Sequence, residues 1–493
     1  MICVSIGRGR HRSMIAEARH VSEQGAQLVE LRLDYIRRAV NLKRLLANRR
    51  CPVVATCRRE QDGGKWTGTD QDRLMLLRQA IVDGVDYVDL EQDVAGEIPR
   101  YGKTKRIISY HNFTETPEDL QTIHQKLSRQ DADIVKIATL AHHPHDNLRM
   151  LQLSETSRIP TVAICMGDLG TPSRLLAGRF GAPFTYATFH EDRTLAPGQL
   201  SYRQMTESYG YADIKSSTAI FGVVADPVAH SLSPTIHNAA FQDSELDMVY
   251  LPFRVPLDEL GSFLGDCPEL GIKGLSVTIP HKEEVMQFLD QVDTDAATIG
   301  ACNTVVFESG QLVGYNTDHQ AAVDSILSAH RRSGPTPLKG KTALILGAGG
   351  AAKSVAYGLT QLGSDVVITN RDAERAGLLA ERFNCRTVAW DERQKIRAGI
   401  LINTTPIGMH PNVNESPYEK RHIDRGMVVF DTIYNPEQTL LIKHAREQGS
   451  RVITGVDMFI RQAELQFRYF TGQEAPKEVM RDRLKRSTGA ARF

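Results

Sequence analysis

The sequence predicts an α/β protein with an N-terminal (β/α)8 barrel, followed by a two-lobed unit with a Rossmann cofactor lobe. Eight short β-type runs recur in about the first 200 residues, with helical patterns between most of them. Further along, an apolar run at 342–346 meets the glycine-rich segment 347–352 (GAGGAA), and a helical pattern follows at once. A chain of 493 residues has room for two or three domains of this size.

The charge and apolar content exclude several broad classes of protein. Lysine plus arginine and aspartate plus glutamate both number 59, so there is no general attraction to nucleic acid or to an anionic membrane. No apolar run is long enough to span a bilayer, and the N-terminus lacks a signal-peptide core. Seven cysteines without a CxxC pair indicate reduced thiols, and we expect a cytoplasmic protein.

The predicted barrel strands carry charged residues on one face. They are ICVSI (2–6), LVELRLD (28–34), VVATCR (53–58), YVDLE (87–91), RIISYHN (106–112), IVKIAT (134–139), TVAICMG (161–167) and FTYATF (184–189). In the second strand Glu30, Arg32 and Asp34 alternate with apolar residues. The apolar face must pack on helices, so the charged face is predicted to point into the barrel. The HHPH loop at 142–145 lacks a ligand scaffold, and we expect no metal there.

The same alternation collects titratable side chains at the C-terminal ends of the strands, where barrel active sites lie. These inward residues are Ser5, Arg58, Glu91, His111 and Lys136. A structural ion-pair plug is the alternative interpretation. Desolvation and neighbouring arginines are expected to favour the neutral amine of Lys136, the form that attacks a ketone. His111 has the pKa range suited to proton transfer near neutrality.

These residues lie in stretches that resemble type I 3-dehydroquinate dehydratase over residues 1 to about 212: VELRLDY, DLEQD, SYHNFTETP, ADIVKIA, TPSRLLAGRFG and APGQ. The resemblance implies that Lys136 forms an imine with the substrate ketone and that His111, oriented by Glu91, is the acid and base. Arg174 is implied to hold the substrate carboxylate through a bidentate pair. The further substrate-binding residues implied are Ser5, Glu30, Arg32, Arg58 and Gln199. Leu195 stands where the family often has a small hydroxyl residue.

A short connector at 210–219 precedes a second region with strand-end polar residues. Ser231 and Ser233 flank Leu232 just before Pro234, which is predicted to start a helix, and paired hydroxyls there suit either simple capping or an anion. The runs GACNTVV (300–306) and GYNTDHQAA (314–322) are each predicted to end a strand in an Asn-Thr pair. Lys282 and Asp318 near strand ends form either a surface ion pair or part of a site.

Taken together, DPVAHSLSP, SVTIPHK, ACNTVV and GYNTD resemble shikimate dehydrogenase over residues 219–493. The resemblance implies a substrate lobe at 219–335, completed by about 457–493, and a Rossmann cofactor lobe at 338–456. Lys282 and Asp318 are implied to be the catalytic pair that moves the hydroxyl proton. The implied substrate-binding residues are Ser231, Ser233, Thr278, Asn303, Tyr434 and Gln462. Ser276 replaces the family's usual asparagine.

The glycine-rich segment predicts a dinucleotide site, the alternative being a turn that binds nothing. Its predicted cofactor-binding residues are Gly347, Ala348, Gly349, Gly350 and Ala351, together with Gly455 near the nicotinamide. The second strand of the lobe ends in Asn370-Arg371, where an NAD enzyme would normally carry a carboxylate. Arg371 and Arg375 suit a 2′-phosphate, while Asp372 opposes it, so we expect NADP(H) with a weakened preference.

The two halves resemble consecutive steps of aromatic amino-acid biosynthesis, the shikimate pathway. One chain carrying both activities is therefore expected, a lyase acting on 3-dehydroquinate and an NADP-dependent oxidoreductase interconverting 3-dehydroshikimate and shikimate. The alternatives are a catabolic quinate or shikimate oxidoreductase that uses NAD, and a non-catalytic metabolite sensor. Nucleic acid, membrane and metal are not expected partners, and the chain is expected to be a monomer or homodimer.

Overall fold

The computed structural model describes residues 1–329 and 338–489. The predicted boundary of the substrate lobe at 335 lies outside the described residues, as does the end of the chain from residue 490.

The N-terminal strands form a nearly closed parallel barrel, which confirms the predicted fold class. Its strands are β1 (Ile2–Ile6), β2 (Leu28–Arg32), β3 (Val53–Thr56), β4 (Tyr87–Glu91), β5 (Lys105–Asn112), β6 (Ile134–Leu140), β7 (Thr161–Met166) and β8 (Thr185–Thr188). Their order is β7-β6-β5-β4-β3-β2-β1-β8, so neighbours in sequence are neighbours in space, and β8 pairs with β1.

Helices cover the barrel between most strands. They are α1 (His11–Glu23), α2 (Leu42–Leu46), α3 (Asp70–Val82), α4 (Leu120–Ser128), α5 (His145–Thr156) and α6 (Thr171–Leu176). The β4 to β5 connection departs from the ideal pattern, because its helical content in the described residues is one 3₁₀ turn at Ala95–Glu97. The segment Ile98–Lys105 is short and carries Pro99 and Gly102, which disfavour a longer helix.

The barrel interior is layered from apolar to polar along each strand. Ile134 on β6 packs in a buried cluster with Val54, Ile107 and Val162. Two residues later on the same face comes Lys136, which is also buried. The apolar layer closes the N-terminal end of the lumen and leaves the charged residues at the C-terminal end, as the alternation predicts.

A second, mixed sheet follows the barrel. Its strands are β9 (Ala219–Ala225), β10 (Met248–Arg254), β11 (Ile272–Val277), β12 (Gln291–Val292), β13 (Thr304–Glu308) and β14 (Gln311–Tyr315), in the order β10-β9-β11-β13-β14-β12. The helices are α7 (Ser233–Asp243), α8 (Leu260–Leu270), α9 (Thr294–Ile299) and α10 (Asp318–Ala329).

One prediction about this sheet is wrong. The pair Asn303-Thr304 begins the strand β13 instead of ending one, whereas Asn316-Thr317 follows β14 as expected. The apolar run after Thr304 continues into an antiparallel hairpin with β14. Its turn residues Ser309 and Gly310 both have positive φ (50° and 83°), as a two-residue hairpin turn requires.

The cofactor lobe is a parallel sheet in the order β17-β16-β15-β18-β19-β20, which is the doubly wound Rossmann order. Its strands are β15 (Thr342–Leu346), β16 (Asp365–Thr369), β17 (Arg386–Thr387), β18 (Ile400–Asn403), β19 (Val428–Asp431) and β20 (Arg451–Ile453). Its helices are α11 (Gly350–Gln361), α12 (Ala373–Phe383) and α13 (Leu440–Glu447), and the chain then continues through α14 (Gly455–Thr471) and α15 (Lys477–Gly489).

By its internal contacts the chain forms two compact units. One comprises Met1–Gly222, Asp226–Pro234 and Asp247–Ile272, and the other Val223–Ala225, Thr235–Leu246 and Lys273–Phe493. These units do not follow the predicted domain boundaries, because segments of the predicted substrate lobe belong to each. Within residues 1–329 and 338–489, no helix is long and apolar enough to cross a membrane.

Candidate active sites

Lys136 lies deep in the barrel among acidic neighbours. Its Nζ donates to Asp89 Oδ2 at 2.9 Å and lies 3.8 Å from Glu30 Oε1. The ring of Tyr186 is beneath it, with the centroid 4.2 Å from Nζ. Asp89 lies between Lys136 and Arg58, so the arginine that the sequence predicts beside Lys136 is separated from it by a carboxylate. The Nζ atom of Lys136 is thus held in one place by a carboxylate and an aromatic face.

Asp89 is a central residue of this site that the sequence analysis did not select. It also accepts hydrogen bonds from Ser109 Oγ at 2.6 Å and pairs with Arg58 Nη2 at 2.8 Å. Burial by itself would raise its pKa, but Arg58 and Lys136 outweigh burial and hold the pKa of Asp89 well below its usual value. The signal was present, because Asp89 shares the inward face of β4 with Glu91.

His111 is poised as a proton acceptor. Burial first, and then the positive charges of Arg58 and Lys136, lower its pKa well below 6.5, so the imidazole is neutral near pH 7. Arg58 Nη1 lies 2.6 Å from a ring nitrogen of His111. The ring of Phe113 stacks beside it, with centroids 6.1 Å apart.

Glu91 was expected to orient His111, but in the structure it makes no hydrogen bond to that histidine. Glu91 Oε2 instead accepts a hydrogen bond at 2.7 Å from Arg73, a fully buried arginine of α3. Glu91 is the last residue of β4, and the guanidinium of Arg73 also reaches the carbonyl of Cys57, so it occupies the space beside this strand end. Two carboxylates line the same cavity as His111, namely Glu30 and Asp62, and the sequence analysis missed Asp62.

Arg174 is a buried arginine whose guanidinium has no carboxylate partner among the described residues. Its side chain is buried (1% exposed), and Nε and Nη1 have no hydrogen-bond acceptor in the described part of the chain. Burial lowers its pKa to about 10. Arg174 and Lys136 line one cavity together with Gln199 and Leu195. A buried, unsatisfied guanidinium in a cavity indicates a carboxylate ligand.

The remaining predicted residues of the barrel site are brought into this cavity as well. Ser5 donates to Glu30 Oε2 at 2.5 Å, and Thr56 donates to Glu30 Oε1 at 2.8 Å. Arg32 makes a bidentate pair with Asp34 at 2.8 and 3.0 Å. Gln199 Oε1 accepts the N–H groups of Leu195 and Ala196, which orders the loop over the cavity and leaves the amide nitrogen of Gln199 as a donor.

The second predicted catalytic pair is formed in the other unit. Lys282 Nζ donates to Asp318 Oδ2 at 2.5 Å, and both side chains are largely buried. Asn303 Nδ2 donates to Asp318 Oδ1 at 3.0 Å, while Asn303 Oδ1 accepts the N–H of Thr317 at 2.8 Å. Asp318 is the first residue of α10. The alternative of an exposed ion pair is therefore excluded.

Asn303 thus contacts the Lys282–Asp318 pair directly. Other predicted substrate-binding residues make hydrogen bonds or ring contacts with neighbouring residues. Ser231 Oγ accepts the N–H of Ser233 at 3.3 Å, the expected capping contact. Gln462 is buried and donates to the carbonyl of Phe459 at 3.0 Å, and Tyr434 stacks on the Phe459 ring with centroids 4.2 Å apart.

Three further residues make hydrogen bonds in this region. Thr278 is half-buried and its backbone N–H pairs with Val224. Ser276 donates to Gln466 at 2.8 Å, and Gln466 donates to the carbonyl of Asn303 at 3.1 Å. Gln466 lies one helical turn beyond Gln462 and was missed, although the spacing of the two along α14 indicates a common face.

The glycine-rich segment has the geometry of a phosphate site. Gly347 has φ +114°, and a Cβ there would lie 2.5 Å from Thr404 Oγ1. Gly349 precedes α11 with no side-chain cap, and a Cβ there would meet nothing within 4 Å. The first amides of α11, at Gly350 and Ala351, have no side-chain cap and suit an anion such as a pyrophosphate.

The same segment borders the catalytic pair. A Cβ on Gly350 would lie 3.2 Å from Cδ of Lys282. Gly455, the first residue of α14, packs so closely on Ile433 that a Cβ would lie 2.3 Å from the Ile433 carbonyl. A bound dinucleotide at the α11 start would thus come beside Lys282.

The residues after β16 define the predicted ribose end of this site. Arg371 and Arg375 are exposed. Asp372 is the N-cap of α12, and its Oδ1 accepts the N–H groups of Glu374 and Arg375 at 3.1 Å each. Asn370 Nδ2 donates to the carbonyl of Asp372 at 3.1 Å. Because its carboxylate is engaged with the α12 amides, Asp372 opposes a 2′-phosphate less than the sequence suggests.

Two of the three histidines of the HHPH loop contact carboxylates, while the ring of His142 contacts the carbonyl of Thr114. His145 Nδ1 lies 2.9 Å from Asp266 Oδ2, and His143 pairs with Glu259. In the described parts of the chain there is no group of three or more histidine, cysteine, aspartate or glutamate residues that could hold a metal ion.

Comparison with known families matches nearly every part of the chain. Residues 2–216 match type I 3-dehydroquinase, and residues 223–305 match the shikimate dehydrogenase substrate binding domain. Residues 328–431 match shikimate / quinate 5-dehydrogenase, and residues 455–485 match the shikimate 5'-dehydrogenase C-terminal domain.

Individual proteins are similar to the whole chain or to its second half. The chloroplastic bifunctional 3-dehydroquinate dehydratase/shikimate dehydrogenase of Arabidopsis thaliana is 37% identical over 97% of this chain and 83% of its own length. The shikimate dehydrogenase (NADP(+)) of Methanopyrus kandleri is 41% identical over 55% of this chain and 96% of its own length.

A solved structure agrees with these sequence matches. The shikimate 5-dehydrogenase of Thermus thermophilus, in complex with NADP(H) and shikimate, is 33% identical with a TM-score of 0.50, over 55% of this chain and 99% of that one. Since the match to the Arabidopsis enzyme runs through both halves, this chain belongs to the family of bifunctional 3-dehydroquinate dehydratase/shikimate dehydrogenases, with a lyase half and an NADP-type oxidoreductase half.

Proposed function

We propose that this chain dehydrates 3-dehydroquinate to 3-dehydroshikimate at Lys136 and reduces 3-dehydroshikimate to shikimate at Lys282 and Asp318 with NADPH. The observation that carries the proposal is the buried, unpartnered guanidinium of Arg174 in one cavity with Lys136 and His111. It fits the carboxylate of a substrate whose ketone reacts with the lysine. Intact reacting groups in both halves argue against a non-catalytic sensor.

The dehydration begins with attack of the Lys136 amine on the substrate ketone. Loss of the carbonyl oxygen as water, with uptake of one proton from solvent, leaves a protonated imine, which withdraws electrons and acidifies the adjacent C–H. His111, neutral because of its lowered pKa, accepts that proton. The histidine then protonates the departing hydroxyl group, a second water leaves, and hydrolysis of the imine with one water releases the product and restores Lys136.

The residues around Lys136 orient the substrate for these steps. Arg174 pairs with the carboxylate, and the amide nitrogen of Gln199 donates to the same end of the ring. Glu30 and Arg32 bind ring hydroxyls. Asp89 returns Lys136 to one position after each turnover, since it is the hydrogen-bond partner of the lysine in the unliganded site. Glu91 acts only through Arg73 and is a positioning residue.

In the reduction, NADPH supplies the hydride when it is bound at the α11 start. Lys282 donates a proton to the substrate carbonyl oxygen as that oxygen becomes a hydroxyl, and the proton is shared with Asp318 through the 2.5 Å contact. Asn303 fixes Asp318 and the substrate side of the pair. Ser231, Ser233, Thr278, Tyr434 and Gln462 remain predicted substrate residues.

Arg371 and Arg375 are proposed to bind the 2′-phosphate of NADPH. Both are exposed and available, and Asp372 is engaged with the amides of α12. This assignment gives NADPH preference and disfavours the alternative of a catabolic enzyme that uses NAD with quinate or shikimate.

Variants of one half test the two-site assignment while the other half serves as control. Lys136→Met should abolish dehydration of 3-dehydroquinate and leave shikimate oxidation by NADP intact, and Lys282→Met should do the reverse. The control is Val135→Ile, a conservative change at the buried position before Lys136. This variant should keep both activities. Loss of both activities in either lysine variant, or of neither, contradicts the assignment.

We further propose a reducing, cytoplasm-like compartment and a monomeric or homodimeric chain. All seven cysteines are free thiols, and five of them are buried. Light scattering of the purified chain gives the mass in solution, and a trimer or larger species contradicts the second part of this proposal.

A further inference from the structure

A polar cluster beside the catalytic pair connects three helices of one unit. It consists of Asp295 in the first turn of α9, His319 in α10 and Tyr357 in α11. His319 directly follows Asp318, and α11 is the helix that begins at the proposed phosphate site. The proposed reaction assigns no role to these three residues.

The contacts within the cluster are specific and complementary. Tyr357 Oη donates to Asp295 Oδ1 at 2.6 Å, and this hydrogen bond, aided by burial, raises the pKa of Tyr357 to about 12, so the phenol keeps its proton. His319 Nε2 lies 3.3 Å from Asp295 Oδ2. The other ring nitrogen of His319 lies 2.8 Å from the carbonyl of Asn316, and the His319 and Tyr357 rings meet edge to face at 5.6 Å.

A second set of contacts joins the start of α10 to α11. Asn316 Oδ1 accepts the N–H groups of Asp318 and His319 at 3.1 and 3.2 Å, and Asn316 Nδ2 donates to Ser354 Oγ on α11 at 3.1 Å. Gly358 permits close packing, because a Cβ there would lie 2.5 Å from a methyl group of Val323 on α10. The start of α10 is therefore held against α11 on two successive turns.

We propose that Asp295, His319 and Tyr357 are positioning residues for the reduction. They fix the start of α10, and with it Asp318, relative to the start of α11, where Gly350 lies against Lys282. The inference rests on the proposed dehydrogenase function. Because proton donation from the pair depends on distance and direction, loosening this connection lowers kcat and affects substrate binding little.

The test uses the full chain and measures kcat and KM for shikimate and NADP, with dehydration of 3-dehydroquinate as internal control. Tyr357→Phe and Asp295→Asn should each lower the dehydrogenase kcat about 10-fold, which corresponds to the loss of one charge-assisted hydrogen bond. Each KM should change less than about 2-fold. The double variant should be no slower than Asp295→Asn alone, because Tyr357 acts through its hydrogen bond to Asp295. The dehydratase rate should not change.

Two matched variants separate positioning from general stability. Tyr315→Phe removes another phenol that contacts a carboxylate, Glu308 at 3.4 Å, and should leave kcat unchanged. His319→Gln keeps an N–H donor toward Asp295 and should retain more kcat than His319→Ala. If Tyr357→Phe lowers the temperature of inactivation but leaves kcat at wild-type level, or if the double variant is slower by the product of the two single effects, the inference is overturned. An unmodified chain without any dehydrogenase activity refutes the proposed function itself.

Discussion

Replacing Arg174 with methionine should make the unliganded barrel more stable while abolishing dehydration. Arg174 is fully buried, and its Nε and Nη1 have no acceptor among the described residues. The lowering of its pKa from 12.5 to about 10 corresponds to about 3 kcal/mol of unfavourable free energy for the charged side chain at pH 7. That penalty is full below the lowered pKa, and it falls to zero as the pH rises from about 10 through the ordinary value of 12.5. Methionine fills a similar volume without it, so we expect a gain of up to about 3 kcal/mol.

The matched control is Arg106, a buried arginine whose guanidinium donates to backbone carbonyls, including those of Ala95 at 2.8 Å and Asp131 at 3.1 Å. Arg106→Met should destabilise the barrel, because it leaves these carbonyls unpaired. The sequence has two tryptophans, and Trp66 belongs to the barrel segment, so a Trp390→Phe background gives a barrel-specific fluorescence signal in urea. If Arg174→Met has a lower free energy of unfolding than its parent, the argument that Arg174 is an unpaired buried charge that binds an anion is refuted.

The remaining predictions concern the imine, the base and the cofactor. Borohydride added with 3-dehydroquinate should reduce the imine and add one ligand mass to the peptide that contains Lys136, while dehydrogenase activity is kept. Modification of another peptide with Lys136 unmodified contradicts the assignment. Because the pKa of His111 is lowered, kcat/KM for dehydration should stay level as the pH falls through 6.5 and drop only at more acidic pH; a half-maximal rate at or above pH 6.5 opposes a neutral His111. Arg371→Ala should lower kcat/KM for NADPH about 10- to 150-fold, with NADH turnover nearly unchanged, whereas Asp372→Thr, which preserves the cap of α12, should sharpen the NADPH preference. Better use of NADH than NADPH by the unmodified chain would contradict the Arg371 argument.

Much of the fold follows from local patterns in the sequence. The strands Ile2–Ile6 and Tyr87–Glu91 have the predicted bounds, because apolar alternation is bounded there by loop residues. The inward faces were also predictable, since period-two alternation and an apolar outer face leave one orientation for Lys136. The glycine segment is confirmed as a strand-to-helix turn for the same local reason, because Gly347 requires a positive φ.

Partner choice inside the barrel could not be predicted in the same way. Alternation assigns Asp89 and Glu91 to one face of β4, but not which cation reaches each carboxylate. Arg73 comes from α3 and occupies Glu91, a contact that depends on how the helix packs on the barrel. The direction of β13 likewise depends on the hairpin at Ser309 and Gly310, which places Asn303 before a strand.

Helix capping was the other feature that the sequence left open. Asp372 carries a charge that opposes a 2′-phosphate when only the sequence is considered, but in the structure its carboxylate accepts two backbone N–H groups of α12. Ser231 and Ser233 were predicted to cap a helix or to bind an anion. Ser231 Oγ accepts the N–H of Ser233, and this contact leaves the two hydroxyl groups able to bind a ligand as well. Capping and ligand binding use the same residue types, so the two roles separate only when the hydrogen bonds are known.

The central claim is that one chain performs both steps, and a coupled reaction tests it most directly. The unmodified chain is given 3-dehydroquinate and NADPH, and NADPH absorbance and shikimate formation are followed together. The account predicts that NADPH is consumed and that shikimate appears in equal amount, although neither 3-dehydroshikimate nor a second enzyme was added. Consumption of neither compound, or accumulation of 3-dehydroshikimate with NADPH left intact, would contradict it.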